Sequence, residues 1–141
     1  METTPPRDPT TNELRGDRKR FPAGMKALGD YIHGKGLKYA QYTAESPTTC
    51  EGYPASAGHE GLDAMVFASW GVDYLKVDGC GSPAYYPIGY PAMGIALANT
   101  SRPIEYSCSW QVTPTPPNAA NPTGIPLNYV LSHLLNQVLC Q

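Results

Sequence analysis

The sequence predicts an α/β fold built on a parallel sheet. From Phe21 to Ser107, segments with helical apolar spacing alternate with short strand-like runs, in the order helix then strand, three times over. Each gap between strands is long enough for a crossover helix, which is how parallel strands are joined. A length of 141 residues allows one domain or part of one. It falls short of the roughly 250 residues of a closed (β/α)₈ barrel. Three strands therefore make an open arc with two edges.

Taken in order, residues 1–19 read as a polar arm, solvated or disordered, ending near the basic cluster Arg15, Arg18, Lys19 and Arg20. No aromatic residue interleaves this cluster, and the net charge is -2. A nucleic-acid partner is not expected. FPAGMKALGDYIHGKG then places Met25, Leu28, Tyr31 and Ile32 on one helical face, with Pro22 at the entry and Gly34 and Gly36 at the exit. LKYAQY, residues 37–42, reads as a buried strand, and residues 43–58 as a long loop. A second helix spans 59–70, with Leu62, Met65, Val66 and Ser69 on one face. VDYLKVD, residues 72–78, is the second strand. Residues 81–90 read as a Gly/Pro/Tyr loop, 91–98 as a short helix and 103–107 as the third strand.

The end of the chain differs. From Tyr106 to Gln141 there is no Asp, Glu, Lys or Arg, and VTPTPPNAANPTGIP carries five prolines. Such a segment is neither helix nor central strand. Residues 111–141 are expected to be an irregular tail foreign to the α/β pattern. No apolar run approaches the roughly 18 residues of a membrane span. The first residues lack the apolar stretch of a signal peptide.

The chemistry points to YLKVDGC, residues 74–80. Strand alternation puts Tyr74, Lys76 and Asp78 on one face, Leu75 and Val77 on the other. Asp78 ends the strand, at the edge where parallel α/β folds open their active sites. Lys76 nearby would favour its ionised form, and an ionised, positioned Asp is a nucleophile. The alternative is a buried Lys–Asp pair that only closes a strand. Tyr42 reaches the same rim, as do Ser107, Cys108, Ser109 and Trp110. Aromatic faces and a carboxylate around one mouth suit a sugar. His33 reads as surface or core filler, and His59 as a helix-capping residue. Four cysteines, at 50, 80, 108 and 140, contain no CxxC pair, so a zinc site is not expected. Asn99-Thr100-Ser101 is a glycosylation sequon in an expected surface turn.

Four stretches in order carry a resemblance: RFPAGMKALGDYIHGKGLKYAQY, TTCEGYP, DAMVFASWGVDYLKVDGC and NTSRPIEYSCSW. They resemble glycoside hydrolase family 27, the α-galactosidases and α-N-acetylgalactosaminidases, over residues 20–110. The resemblance implies a partial (β/α)₈ barrel, about helix 2 to strand 5. It implies retaining hydrolysis of terminal α-linked galactose or N-acetylgalactosamine, with no cofactor and no metal. Asp78 matches the family nucleophile, Lys76 a sugar contact and Tyr42 a pocket tyrosine; Ser109 and Trp110 stand in the family's CEW/CSW motif. Ser in that motif looks nearer the N-acetylgalactosaminidases, although Val112 departs from the small residue expected three positions on. Cys50 and Cys80 match a disulfide pair, while Cys108 matches a cysteine bonded farther downstream. A lysosomal or secreted location, a carbohydrate partner and a homodimer for full-length members are implied likewise.

The family's Asp-Asp-Cys-Trp segment and its acid/base segment fall outside the match. A retaining glycosidase needs two carboxyls about 5–5.5 Å apart. Glu105, the only carboxyl side chain after Asp78, does not match the acid. The alternative to an active glycosidase is thus a catalytically inactive truncated isoform or gene-model fragment.

Overall fold

The structure is a computed structural model and describes residues 7–109. Three helix–strand units follow one another: α1 (Gly24–Gly34), β1 (Ala40–Ala44), α2 (Glu60–Trp70), β2 (Tyr74–Asp78), α3 (Tyr86–Ala98) and β3 (Glu105–Cys108). The strands form one parallel sheet in the order β1-β2-β3. Ala44 pairs with Asp78, and Val77 with Cys108, so the C-terminal ends of all three strands meet at one rim. Among the described residues β1 and β3 are both edges, as an open arc requires.

The helices cover one face of the sheet. β2 alternates as expected, with Leu75 and Val77 fully buried against the helices and Tyr74, Lys76 and Asp78 half-exposed on the other face. Phe67 of α2, Tyr90, Met93 and Leu97 of α3, and Tyr106 of β3 complete the core. Burying each such side chain contributes about 1.5–3 kcal/mol. α2 stops at Gly71, whose φ of 80° is a left-handed cap that other residues adopt at a cost.

Four expectations are corrected. First, α3 begins at Tyr86, within the expected loop 81–90, and carries Pro91 inside it. An interior proline costs about 3 kcal/mol. The burial of Tyr86, Tyr90, Met93 and Leu97, spaced along one helical face, offsets it. Second, β1 is shifted towards the C-terminus: Leu37 is exposed, while Thr43 and Ala44 are buried. The Thr43 and Ser56 hydroxyls satisfy each other at 2.7 Å, which lets polar residues enter the interior. Third, Tyr31, Met65 and Ser69 point to solvent. The buried side of α2 instead carries Glu60 and Asp63 with Ala64, Val66 and Phe67. Fourth, the arm expected to be solvated is tied down from Arg7 on. Arg7 forks the buried Asp63 with two bonds of 2.7 Å and donates to the carbonyls of Ala55 and Asn12. That ion pair is what allows α2 to bury an aspartate. The tail, Trp110 and Cys140 lie outside the described residues.

The N-terminal end of the sheet is closed by polar contacts. Asp73, just before β2, accepts from His33 Nε2 at 2.7 Å, from the Tyr39 amide at 2.8 Å and from Arg102. Arg102 also donates to the Val72 carbonyl at 2.7 Å. Burial works against the charge on Asp73, but the Tyr39 amide, His33 and Arg102 outweigh it and hold the carboxyl at about 2. His33, expected to be filler, is thus part of a pin between α1, β2 and the approach to β3.

Candidate active site

The C-terminal rim carries the chemistry. Asp78 is the last residue of β2 and half-buried. Its Oδ1 accepts the following Gly79 amide at 2.9 Å, and its Oδ2 accepts the Tyr42 hydroxyl at 3.0 Å. Tyr42 sits opposite Lys76 in the parallel register, one pleat below the rim, and its ring reaches up to the carboxylate. Burial, then the bond to Asp78 and its charge, raise the Tyr42 phenol above its ordinary value, with Glu51 adding to the effect. Tyr42 therefore keeps its proton and donates a hydrogen bond to Asp78.

A disulfide braces the rim. Cys50 and Cys80 are bonded, with Cα atoms 5.0 Å apart and a sequence separation of 30. It ties the β1–α2 loop to the turn after Asp78. The Tyr42 hydroxyl lies 3.5 Å from the Cys80 sulfur. Closing a loop of this length stabilises the fold by roughly 3–4 kcal/mol on the chain-entropy account. Cys50, Cys80 and Asp78 are near enough to share a cation. With both sulfurs spent in the disulfide, only the Asp78 carboxylate is left to bind one.

The other expected residues divide. Lys76 shares the open face with Asp78, but among the described residues it forms no ion pair with it. Side chains two apart on a strand stand about 7 Å apart at their bases, and the Lys76 amine does not close that gap. Ser109 is half-buried beyond the end of β3, and its amide donates to the Val77 carbonyl at 2.9 Å, extending the ladder. Trp110 lies outside the described residues. Asn99 is exposed at the C-terminal cap of α3. His59 occupies the N-cap of α2, as expected, but its ring makes no capping bond. Glu105 begins β3 opposite Tyr74, at the other end of the sheet from Asp78. Four residue steps along the strand lead from Tyr74 to Asp78, about 13 Å, so Glu105 is not placed to act with it.

Sequence reasoning missed Glu51 and Tyr53. A groove of about 410 Å³ runs from Tyr42 past Glu51 and Tyr53 to Arg15, Met25 and Phe67. Glu51 follows Cys50, so the bond to Cys80 brings it towards the rim; that pairing is the signal that locates it. A larger groove of about 630 Å³ lies against Asp73 and Arg102 at the opposite end. Its two carboxyls are Asp73, spent on His33, Tyr39 and Arg102, and Glu105, at the end of the sheet away from Asp78, so the groove lined by Tyr42 is the better candidate.

Comparison with known proteins shows the family. Residues 3–131 match the family described as alpha galactosidase A. Alpha-galactosidase A of Homo sapiens is 42% identical over 123 residues, covering 86% of this chain and 28% of the human protein. Alpha-galactosidase A of Cellvibrio japonicus is 46% identical over 99 residues, covering 69% and 24%. Alpha-N-acetylgalactosaminidase of Gallus gallus is 51% identical over 96 residues, covering 67% and 24%. Among solved structures, alpha-galactosidase I from Mortierella vinacea superposes with a TM-score of 0.67 at 42% identity, over 72% of this chain and 27% of that one. The alpha-galactosidase of Saccharomyces cerevisiae with raffinose gives 0.68 at 37% identity, over 74% and 24%. The chain spans about a quarter of the length of these relatives. It belongs to the alpha-galactosidase A family, glycoside hydrolase family 27.

Proposed function

We propose that this chain carries the nucleophile side of a retaining glycosidase acting on terminal α-linked galactose or N-acetylgalactosamine. The observation that carries the reading is Asp78 at the strand-end rim, held by Tyr42 and braced by Cys50–Cys80. In this reading the segment is one arc of a (β/α)₈ barrel, of which residues 20–110 are the catalytic portion. Asp78 attacks the anomeric carbon as the glycosidic C–O bond breaks, leaving a glycosyl ester on its carboxylate. Tyr42, Lys76, Ser109 and Trp110 contact the sugar, and Ser109 leaves room for a 2-acetamido group. Asn99, exposed after α3, would carry a glycan, which fits the lysosomal or secreted location proposed by family likeness. A homodimer remains a proposal for the full-length protein.

A leaving alkoxide needs a proton, and a glycosyl ester needs a base to activate water. Among the described residues the other carboxyl brought towards the rim is Glu51, which bears on Tyr42, and the family's acid/base segment falls outside the match. This favours a second reading, a chain inactive on natural glycosides when alone. One experiment separates the two. α-Galactosyl fluoride needs no acid, since fluoride leaves as the anion, and azide needs no base to displace the Asp78 ester. The expected product with azide is α-galactosyl azide, formed with retention and lost in Asp78→Ala. Equal fluoride release by Asp78→Ala, or an inverted product, contradicts the nucleophile. No release at all leaves the inactive reading in place.

A further inference from the structure

Glu45 follows β1, and its amide donates to the Asp78 carbonyl at 2.8 Å. Its side chain is completely buried. It presses on the backbone of α3, where a Cβ on Gly89 would collide with its Oε2. Neither carboxyl oxygen has a hydrogen-bond partner among the described residues. The titratable groups facing it are acids and phenols: Glu60 and Asp63 from α2, Tyr85 and Tyr90 from α3, and Tyr106 from β3. Asp78 of β2 meets it through the backbone. Three donors in the neighbourhood are engaged elsewhere. The Tyr106 hydroxyl gives to the Tyr90 carbonyl at 3.1 Å. Tyr85 gives its hydroxyl to Glu60 at 2.7 Å. Arg7 is committed to Asp63 and to the carbonyls of Ala55 and Asn12. A carboxylate in this position would be unsolvated, unpaired and repelled by two others.

We infer that Glu45 is folded in as a neutral carboxylic acid, which makes the junction between the Cys50 loop and the Asp78–Cys80 turn a pH-sensitive element, tight in acid and loosened in alkali. Burial first, then the Glu60 carboxylate, push its pKa from 4.5 to about 8. The unfolded chain loses this proton from pH 4.5 upward, while the folded chain retains it to about 8. The stabilising contribution is therefore complete below the lower value, falls across the window and levels off above the upper one. The junction is tight on both sides: Ser46 packs against Gly81 with no room for a side chain there, and the Ser56 amide holds the Ala44 carbonyl at 3.0 Å. Charge on Glu45 pushes these apart.

Urea unfolding of the full chain, disulfide intact, tests this in the wild type and in Glu45→Gln. Between pH 5 and pH 8 the wild-type unfolding constant should rise on the order of a hundredfold. In Glu45→Gln the rise should shrink to under about tenfold. Equal slopes in the two proteins would overturn the inference. Should the variant not fold, carbon-13 spectra of glutamate carboxyls in the folded wild type decide. One glutamate still protonated at pH 7 supports it, and all of them ionised at pH 7 overturns it.

Discussion

Asp73 and Asp78 flank the same strand, yet the protein treats them differently. Asp73 is met by an amide, an imidazole and a guanidinium, and its carboxyl is held at about 2. Asp78 is half-buried and has only a phenol and its neighbour's amide, and that phenol, Tyr42, lines a groove. A carboxylate that has spent its lone pairs on fixed donors is structural. One that is aimed but under-partnered is available to a substrate. The N-terminal end of the sheet thus spends its carboxylate on structure, while the C-terminal end leaves rigidity to the Cys50–Cys80 disulfide and keeps Asp78 for chemistry.

The comparison can be broken at either end. The largest effect is expected at the rim: Cys50→Ser together with Cys80→Ser should cost roughly 3–4 kcal/mol in chemical denaturation, because the loop is otherwise free to open. Asp73→Asn comes next, at about 2 kcal/mol, since Arg102 and His33 lose a charged acceptor but keep a polar one. The acid limb sharpens this. Asp73 gains its charge more easily folded than unfolded, so its contribution is present above pH 3.8 and lost as pH falls towards about 2. Asp73→Asn should flatten that limb in an acid titration of stability. Tyr42→Phe should cost about 1 kcal/mol or less, the worth of one half-exposed hydrogen bond, while weakening azide-dependent turnover of α-galactosyl fluoride. Asp78→Asn should change stability least, within about 0.5 kcal/mol, and abolish that turnover. A large stability loss in Asp78→Asn would erase the distinction between the two aspartates.

Much of the fold was legible because its strands are short, apolar on one side and separated by helix-length patterns. Leu75 and Val77 against Lys76 and Asp78 is a period-two signal that burial reproduces. α3 was only half legible. Its core face, Tyr86 through Leu97, has helical spacing, but Pro87, Gly89 and Pro91 are breakers by local rule, and tertiary packing overrides them. Arg7 and Asp63 were unreadable for a different reason. Each looks like a surface charge, and only their meeting across 56 residues makes either one buried. In the site, Asp78 and Tyr42 could be placed from strand ends. Glu51 depends on a loop path, and Glu45 on the absence of a donor, which no sequence pattern encodes.

The central claim is that Asp78 is the nucleophile of this rim. The most direct measurement is covalent trapping with 2-deoxy-2-fluoro-α-galactosyl fluoride, followed by peptide mass spectrometry of the labelled chain. The expected result is one fluorosugar on the peptide containing Asp78, absent in Asp78→Asn and retained in Asp73→Asn. A label on Glu51 or Glu105, or labelling that survives Asp78→Asn, would contradict it.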